Sequence, residues 1–438
     1  MSRSYASFIG SGVSPLNTRR EDDSLISTFR LMLLEEVDLN ELSKLDGNQR
    51  RARLERVIAH LVSRQGVVLS TSERNQLIRR VVDEAVGLGV LEPILADPSV
   101  SEIMVNGPDT IYVEREGVLE RWPTGFSSTE QMLQTIDRIV STVNRRVDES
   151  SPMVDARLPA DARLPRGARV NVVLPPLALD GPSMTIRLFP QAISLPRLIE
   201  WGSLTPQLAQ LFQACVESRL NIVVSGGTGS GKTTMLNALS SFIGTTERIV
   251  TVEDAAELSL NQPHTVRLET RPPNAEGRGQ VTIRDLVRNA LRMRPDRIVV
   301  GECRGGEALD MLQAMNTGHE GSLTTVHANS AEDALSRLET LATMSDVEIP
   351  FHAIRDQVNS AIQLIVQLGR SPDGSRRVTE VAYVSSRRQE QFKLEPVLTW
   401  ERGEAAGGPG RFVHHRLPDG LRARLVSADV VGSWEGES

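Results

Sequence analysis

The stretch Gly226-Gly227-Thr228-Gly229-Ser230-Gly231-Lys232-Thr233-Thr234 carries the pattern G-x-x-x-x-G-K-[ST]. It stands between an apolar run that reads as a strand, NIVVSG, and a run with helical spacing. In that context the pattern is a phosphate loop. Its glycines let successive backbone N–H groups turn inward on phosphate oxygens, at the positive end of the following helix. Lys232 is expected to reach the β- and γ-phosphates, and the Thr233 hydroxyl to ligate Mg2+. The chemistry implied is nucleotide binding.

Acids follow at matching places. RIVTVEDAAEL ends a strand-like run with Glu253 and Asp254, and RPDRIVVGECRGGE ends another with Glu302. Ligands of an open α/β sheet bind outside the carboxyl ends of its strands, so these acids arrive on the edge that carries the loop. Phosphoryl transfer to water needs one acid to orient the nucleophile and another beside the metal. Glu302 is expected to position the water, and Glu253 to sit on the metal side, partly through water. Each acid has a competing reading as a helix N-cap, strongest for Asp254. TGHEGSLTTVHANS places His319 before a further strand and His327 at its end, without zinc-ligand spacing. His327 is a candidate to hydrogen-bond the γ-phosphate or the acid, and His319 to shape a loop; either can instead be structural.

Arginine is concentrated in two places. In VTIRDLVRNALRMRPDR, Arg284, Arg288 and Arg292 recur every four residues, so they share one helix face, while Ile283, Val287, Ala290 and Leu291 point elsewhere. Stacked like charges cost a helix stability. A facing acidic partner, expected on another subunit, or a solvated basic face would account for them. In DARLPADARLPRGARVN the same five residues occur twice, placing Arg157 and Arg163 six apart, with Arg169 six further on.

The elements that must hold these residues follow from periodicity. Residues 1–23 are polar and read as a disordered arm. Residues 24–92 carry apolar positions at three- and four-residue spacing, a small helical bundle, with Ser70 and Glu73 at capping-box spacing. Residues 93–190 alternate apolar and polar in SEIMVNG, TIYVERE, ARVNVVLP and SMTIRLF around one helical stretch, an α+β domain. Residues 191–206 read as a linker. In residues 207–438 strands and helices alternate, the pattern of a doubly wound, mostly parallel sheet, with an extension lacking clear periodicity at the end. The net charge of −7 gives no whole-chain case for nucleic-acid binding. Two distant cysteines suit a reduced compartment, and no apolar run approaches membrane-spanning length.

The phosphate loop, the Glu253-Asp254 strand end, RIVVGECRGGE and TGHEGSLTTVHANS stand in the order and spacing of the secretion ATPases of type II and type IV systems. There they are called the Walker A, Asp, Walker B and His boxes. ETRPPNAEGRGQVTIRDLVRNALRMRPDR and SSPMVDARLP…RVNVVLPPLALDGPSMTIRLF resemble the CpaF branch, which serves tight-adherence (Tad) pili. The resemblance implies an α/β fold with a RecA-like P-loop NTPase core, preceded by an N-terminal α+β domain and a helical domain. It implies a homohexamer that binds ATP and Mg2+ at the cytoplasmic face of the inner membrane. The membrane contact would be peripheral, through pilus platform proteins, and the work assembly or retraction of a pilus. In this family arginines of the N-terminal domain reach the nucleotide phosphates. The element R-L-P-x-G-x-R-x-N matches Arg163 to Asn171, which nominates Arg163 and Arg169. Alternation puts Arg169 and Arg187 on one face of two paired strands. The first DARLP copy then reads as an insertion, and Arg157 as dispensable. The rivals are a type IV DNA-transfer ATPase sharing these boxes and a slow, nucleotide-gated scaffold. The acidic charge favours no direct nucleic-acid contact.

Overall fold

The computed structural model describes residues 47–435 except 67–68, 116, 161–163, 165, 190–192, 274–276, 372–373, 389–390, 402–409 and 426–427, with residues 25, 26, 28, 29, 32, 33, 36 and 37 before them. The arm 1–23 and Arg163 lie outside the described residues. The chain divides into two compact units, Met1–Pro190 and Gln191–Ser438.

The first unit begins with helices α1 (Gly47–Arg64) and α2 (Thr71–Val86). Leu54, Ile58, Leu61 and Val62 of α1 meet Leu77, Ile78, Val81 and Val82 of α2 in one buried cluster with Ile26, Phe29 and Leu33. The three- and four-residue spacing puts each set on one helix face. Ser70 starts α2 with a capping box: its hydroxyl accepts from the Glu73 amide, and its own amide donates 2.8 Å to the Glu73 carboxylate. A short helix α3 (Glu92–Leu95) leads into a six-stranded antiparallel sheet. Its strands are β1 (Val100–Asn106), β2 (Ile111–Arg115) and β3 (Val118–Arg121), then, after helix α4 (Thr129–Ser141), β4 (Met153–Leu158), β5 (Ala168–Val173) and β6 (Ser183–Leu188). The spatial order is β3-β2-β1-β6-β5-β4. Val154, Val170, Ile186 and Ile103 on one face share a core with Met132, Ile136 and Ile139 of α4. The other face is polar; along β5, Arg169 and Asn171 are exposed between buried neighbours.

The register places the first copy of the repeated segment. The first copy is β4 itself, with Val154, Ala156 and Leu158 buried. Arg157 stands opposite Arg169, which stands opposite Arg187. Leu164, from the second copy, lies beyond β4; it is buried, and its carbonyl accepts the Gly167 amide at 2.9 Å. The first copy continues the alternation of Met153 and Val154, which lengthens it into a strand. Arg157 is therefore a residue of the sheet.

The second unit opens with α5 (Leu195–Glu200) and α6 (Pro206–Glu217). Then come β7 (Ile222–Gly226), α7 (Lys232–Ser240), β8 (Ile249–Glu253), β9 (Thr265–Glu269), α8 (Ile283–Ala290), β10 (Arg297–Val300), α9 (Glu307–Asn316), β11 (Leu323–Val326), α10 (Ala331–Thr343), α11 (Phe351–Ala361) and β12 (Leu364–Arg370). Strands β13 (Arg376–Val384), β14 (Leu394–Glu401) and β15 (Arg411–His414) follow, then α12 (Asp419–Arg422) and α13 (Ala428–Glu435). The nine strands order as β15-β14-β13-β12-β7-β11-β10-β8-β9. From β12 to β9 neighbours run parallel, and β13 to β15 are antiparallel additions. Core lies on both faces. Ile222 and Val224 pack with α6 and α7, while Val223 packs on the side of α8 to α11. That accounts for the continuous apolar strands.

Leu198 and Leu204, from the segment read as linker, are buried in the first of these cores. So is Trp434 near the C-terminus, its ring stacked on His414 and its indole N–H donating 2.9 Å to the His415 carbonyl. Cys215 and Cys303 are buried free thiols. Among the described residues no helix is long and apolar enough to cross a membrane.

Candidate nucleotide site

Strand β7 is buried along its whole length, between β11 and β12. Where it ends, the chain turns through Gly226 to Gly231 into α7. A Cβ at Gly226 would lie 2.9 Å from the Leu368 carbonyl of β12, so the close approach of the strands requires glycine there. Gly229 and Gly231 adopt φ of 68° and 95°, left-handed conformations that aim the loop amides inward. The Ser230 hydroxyl donates 2.9 Å to the Gly227 carbonyl and ties the loop to itself. The Lys232 ammonium folds back to donate 3.0 Å to the carbonyls of both Gly226 and Gly227. Burial lowers its pKa from the ordinary lysine value; the neighbouring Glu302 carboxylate opposes that, and Arg304 adds to it. Thr228 completes the loop, while Thr233 and Thr234, half-buried, form the first turn of α7.

The acids reach the same edge from β8 and β10, which pair in parallel with Val252 opposite Val300. A Cβ at Gly301 would lie 3.0 Å from Glu253 Cγ, so glycine lets the two strand ends close. The backbone around Glu302 is pinned to β11: the Thr325 hydroxyl donates 2.7 Å to the Gly301 carbonyl, and the Cys303 amide donates 2.9 Å to the Thr325 carbonyl. Glu302 itself accepts two bonds from Arg304, at 3.0 and 2.7 Å. Arg304 also reaches the exposed Asp254 at 3.4 Å. Asp254 is followed by bends and loop, so it caps no helix.

Glu253 is buried. One carboxylate oxygen accepts 2.9 Å bonds from the amides of Glu257 and Leu258, and the other, Oε1, is buried with no protein donor. Burial pushes its pKa up to about 7 against the opposing effect of those two amides. His327 follows β11 and is exposed. His319 is half-buried, and its carbonyl accepts 2.7 Å from the Ser322 hydroxyl, which shapes the turn before β11.

The arginine stripe has its acid at home. Arg284 Nε and Arg288 Nε each donate 2.9 Å to Asp310 of α9, and Arg284 also pairs with Asp346. The partner expected on another subunit is thus in the same chain. Helix α8 stops at Ala290, so Arg292 lies beyond it, exposed, and the three arginines form no continuous row.

In the first unit Arg169 and Arg187 face each other across β5 and β6 on the open side of the sheet. Arg169 is half-exposed and Asp155 holds it, with Nε at 3.0 Å from Oδ1. Arg157 lies over the Phe189 ring at 5.5 Å.

Sequence reasoning passed over several residues at the loop. A small cleft beside the loop, partly open to solvent, is walled by Ile193, Leu198, Met235, Leu368, Arg376 and the exposed Trp201. A Cβ at Gly229 would lie 3.8 Å from Arg370 Nη1, and one at Gly231 would lie 3.9 Å from Arg376 Cδ. The only available signal was the basic ends of SPDGSRR, which reads as a turn.

Comparison with known proteins agrees with this geometry. The family model for Type II/IV secretion system proteins matches residues 84–399. A putative conjugal transfer protein of Mycobacterium tuberculosis is 37% identical over 341 residues, 78% of this chain and 96% of the relative. The type IV secretion system protein PtlH of Bordetella pertussis is 34% identical over 325 residues, 68% of this chain and 94% of the relative. Among solved structures, the pilus retraction motor PilT with bound ADP aligns at TM-score 0.52 and 23% identity, covering 67% of this chain and 81% of PilT. It shares the RecA-like fold. The chain belongs to the type II/IV secretion system protein family, whose members of this kind are secretion ATPases.

Proposed function

We propose that this protein is a magnesium-dependent ATP hydrolase that works as a homohexameric ring on a pilus or secretion machine. The observation that carries the reading is one sheet edge holding a phosphate loop with a folded-back Lys232 and two strand-end acids, Glu253 and Glu302. The loop amides and Lys232 bind the phosphates, and Glu302 orients the attacking water. His327, exposed at the end of β11, is available to the γ-phosphate or to Glu302. The Thr233 hydroxyl and Glu253 suit magnesium, since Glu253 Oε1 is a buried oxygen without a donor. When bound, the ion would offset charge on the β- and γ-phosphates. Arg169 and Arg187, helped by Arg163, would serve a neighbour's nucleotide in trans, and head-to-tail contacts of that kind close into a ring.

The CpaF-like middle segments support a Tad pilus as the machine, with contact to inner-membrane platform proteins from the cytoplasmic face. A second reading, conjugal DNA transfer, draws support from the relatives at 34–37% identity. ATP turnover by the full chain, with and without DNA, separates them: stimulation by DNA favours transfer, and indifference favours the pilus. Lys232→Ala should lose nucleotide binding, and Glu302→Gln should bind but not turn over. Equal nucleotide affinity in wild type and Lys232→Ala would sink the hydrolase reading. Sedimentation with a non-hydrolysable ATP analogue tests the ring.

A further inference from the structure

Strands β7 and β12 are parallel neighbours, with Gly226 level with Leu368. At that level β7 gives way to the phosphate loop, while β12 continues through Gly369 to Arg370. The chain then reverses, and β13 starts at Arg376, directly opposite Arg370. Two arginines paired across strands therefore stand on the flank of the loop, Arg370 with its Nη1 near Gly229 and Arg376 with its Cδ near Gly231. Both are exposed. Among the described residues neither side chain is held by a carboxylate, in contrast to Arg304 on Glu302 and Asp254. Their neighbour Arg377 is engaged elsewhere, over the Trp400 ring at 4.3 Å. Two arginines paired across strands beside Lys232 repel one another unless an anion lies between them. Guanidinium forks match phosphate oxygens in geometry as well as charge.

We propose that Arg370 and Arg376 bind the phosphates of the nucleotide held by their own subunit's loop, as a cis pair distinct from Arg169 and Arg187. The pair addresses the α- and β-phosphates, because the loop amides beside which it sits cradle those groups. ADP retains both phosphates, so the pair holds substrate and product alike. Contacts equal in ground and transition states lower KM without raising kcat. The inference rests on the reading of the loop as a nucleotide site.

The experiment measures ADP affinity by calorimetry on the full-length protein, beside ATP turnover. Variants are Arg370→Ala/Arg376→Ala, the matching double lysine variant, and Lys232→Ala. The double alanine variant should bind ADP roughly 10–100-fold more weakly, the range expected for losing one or two charged hydrogen bonds. KM for ATP should rise by a similar factor with kcat kept within about twofold, and lysine should restore part of the affinity. ADP affinity unchanged in the double alanine variant, with Lys232→Ala defective, would overturn the cis pair and leave the loop reading standing. A fall in kcat at unchanged KM would also overturn it. If Lys232→Ala binds ADP as wild type does, the loop reading fails, and the cis pair with it.

Discussion

The two sheets of this protein handle arginine in opposite ways. In the second unit Arg297 opens β10 at 1% exposure, its Nε and Nη2 on Glu247 at 2.8 and 2.9 Å and its Nη1 on the Val216 carbonyl. Around β10 that sheet is parallel and covered on both faces, so a charge inside it must be fully paired. In the first unit the sheet is antiparallel and covered on one face only, and Arg157, Arg169 and Arg187 stand in a row on the open side. A side chain there can be held loosely and still be presented. The buried sheet thus places acids by fixing strand ends, and the half-open sheet displays its cations on a face open to solvent.

The sharpest way to break that contrast is kinetic. Arg169→Ala/Arg187→Ala should lower turnover by ~10³-fold or more if these arginines neutralise transition-state charge as arginine fingers do. Rings mixing that variant with Lys232→Ala should regain activity neither parent has, and mixed rings that form but stay inactive would exclude action in trans.

Next comes Glu247→Ala, which strands the buried Arg297 and should cost about 3 kcal/mol of stability. Urea unfolding of the second unit's transition measures it, and a loss within ~0.5 kcal/mol, the scale of surface changes, would contradict the account. Glu253→Gln should act in the opposite direction. A carboxyl raised from 4.5 to about 7 keeps its proton in the folded state while the unfolded chain has lost it. Stability then falls as pH rises between those values, and the contribution of the neutral carboxyl is fully lost above the upper one. In protein free of nucleotide and magnesium, the glutamine variant should be more stable by about 1–3 kcal/mol at pH 8, with the gain vanishing near pH 4.5. A gain independent of pH would assign it to another cause. Smallest of all, Asp155→Ala on the open sheet should cost under about 1 kcal/mol, as exposed ion pairs do. A cost matching Glu247→Ala would erase the contrast between the sheets.

Much of this was legible in the sequence. The alternation of strands and helices, the phosphate loop and the capping residue Ser70 are local signals, and each leads to the element found. The α/β class follows from them. Less legible was the second half of the cation chemistry. Helical spacing put Arg284 and Arg288 on one face but gave no hint that Asp310 lay opposite. The repeat DARLP was visible, yet nothing local showed that its first copy would set Arg157 opposite Arg169 in the sheet. Periodicity also weakened near the C-terminus, where one buried residue, Trp434, anchors α13.

Alone, the chain's order of residues determined the backbone chemistry: glycines that permit inward-facing amides at Gly229 and Gly231, and apolar runs that must be buried on both faces. These depend on neighbours a few positions away. What touches the loop was decided by the sheet, which inserts β7 between β11 and β12, strands from far later in the chain. Only that crossing brings Arg370 and Arg376 to the phosphate loop, because parallel strands align their ends in space without regard to their distance in sequence.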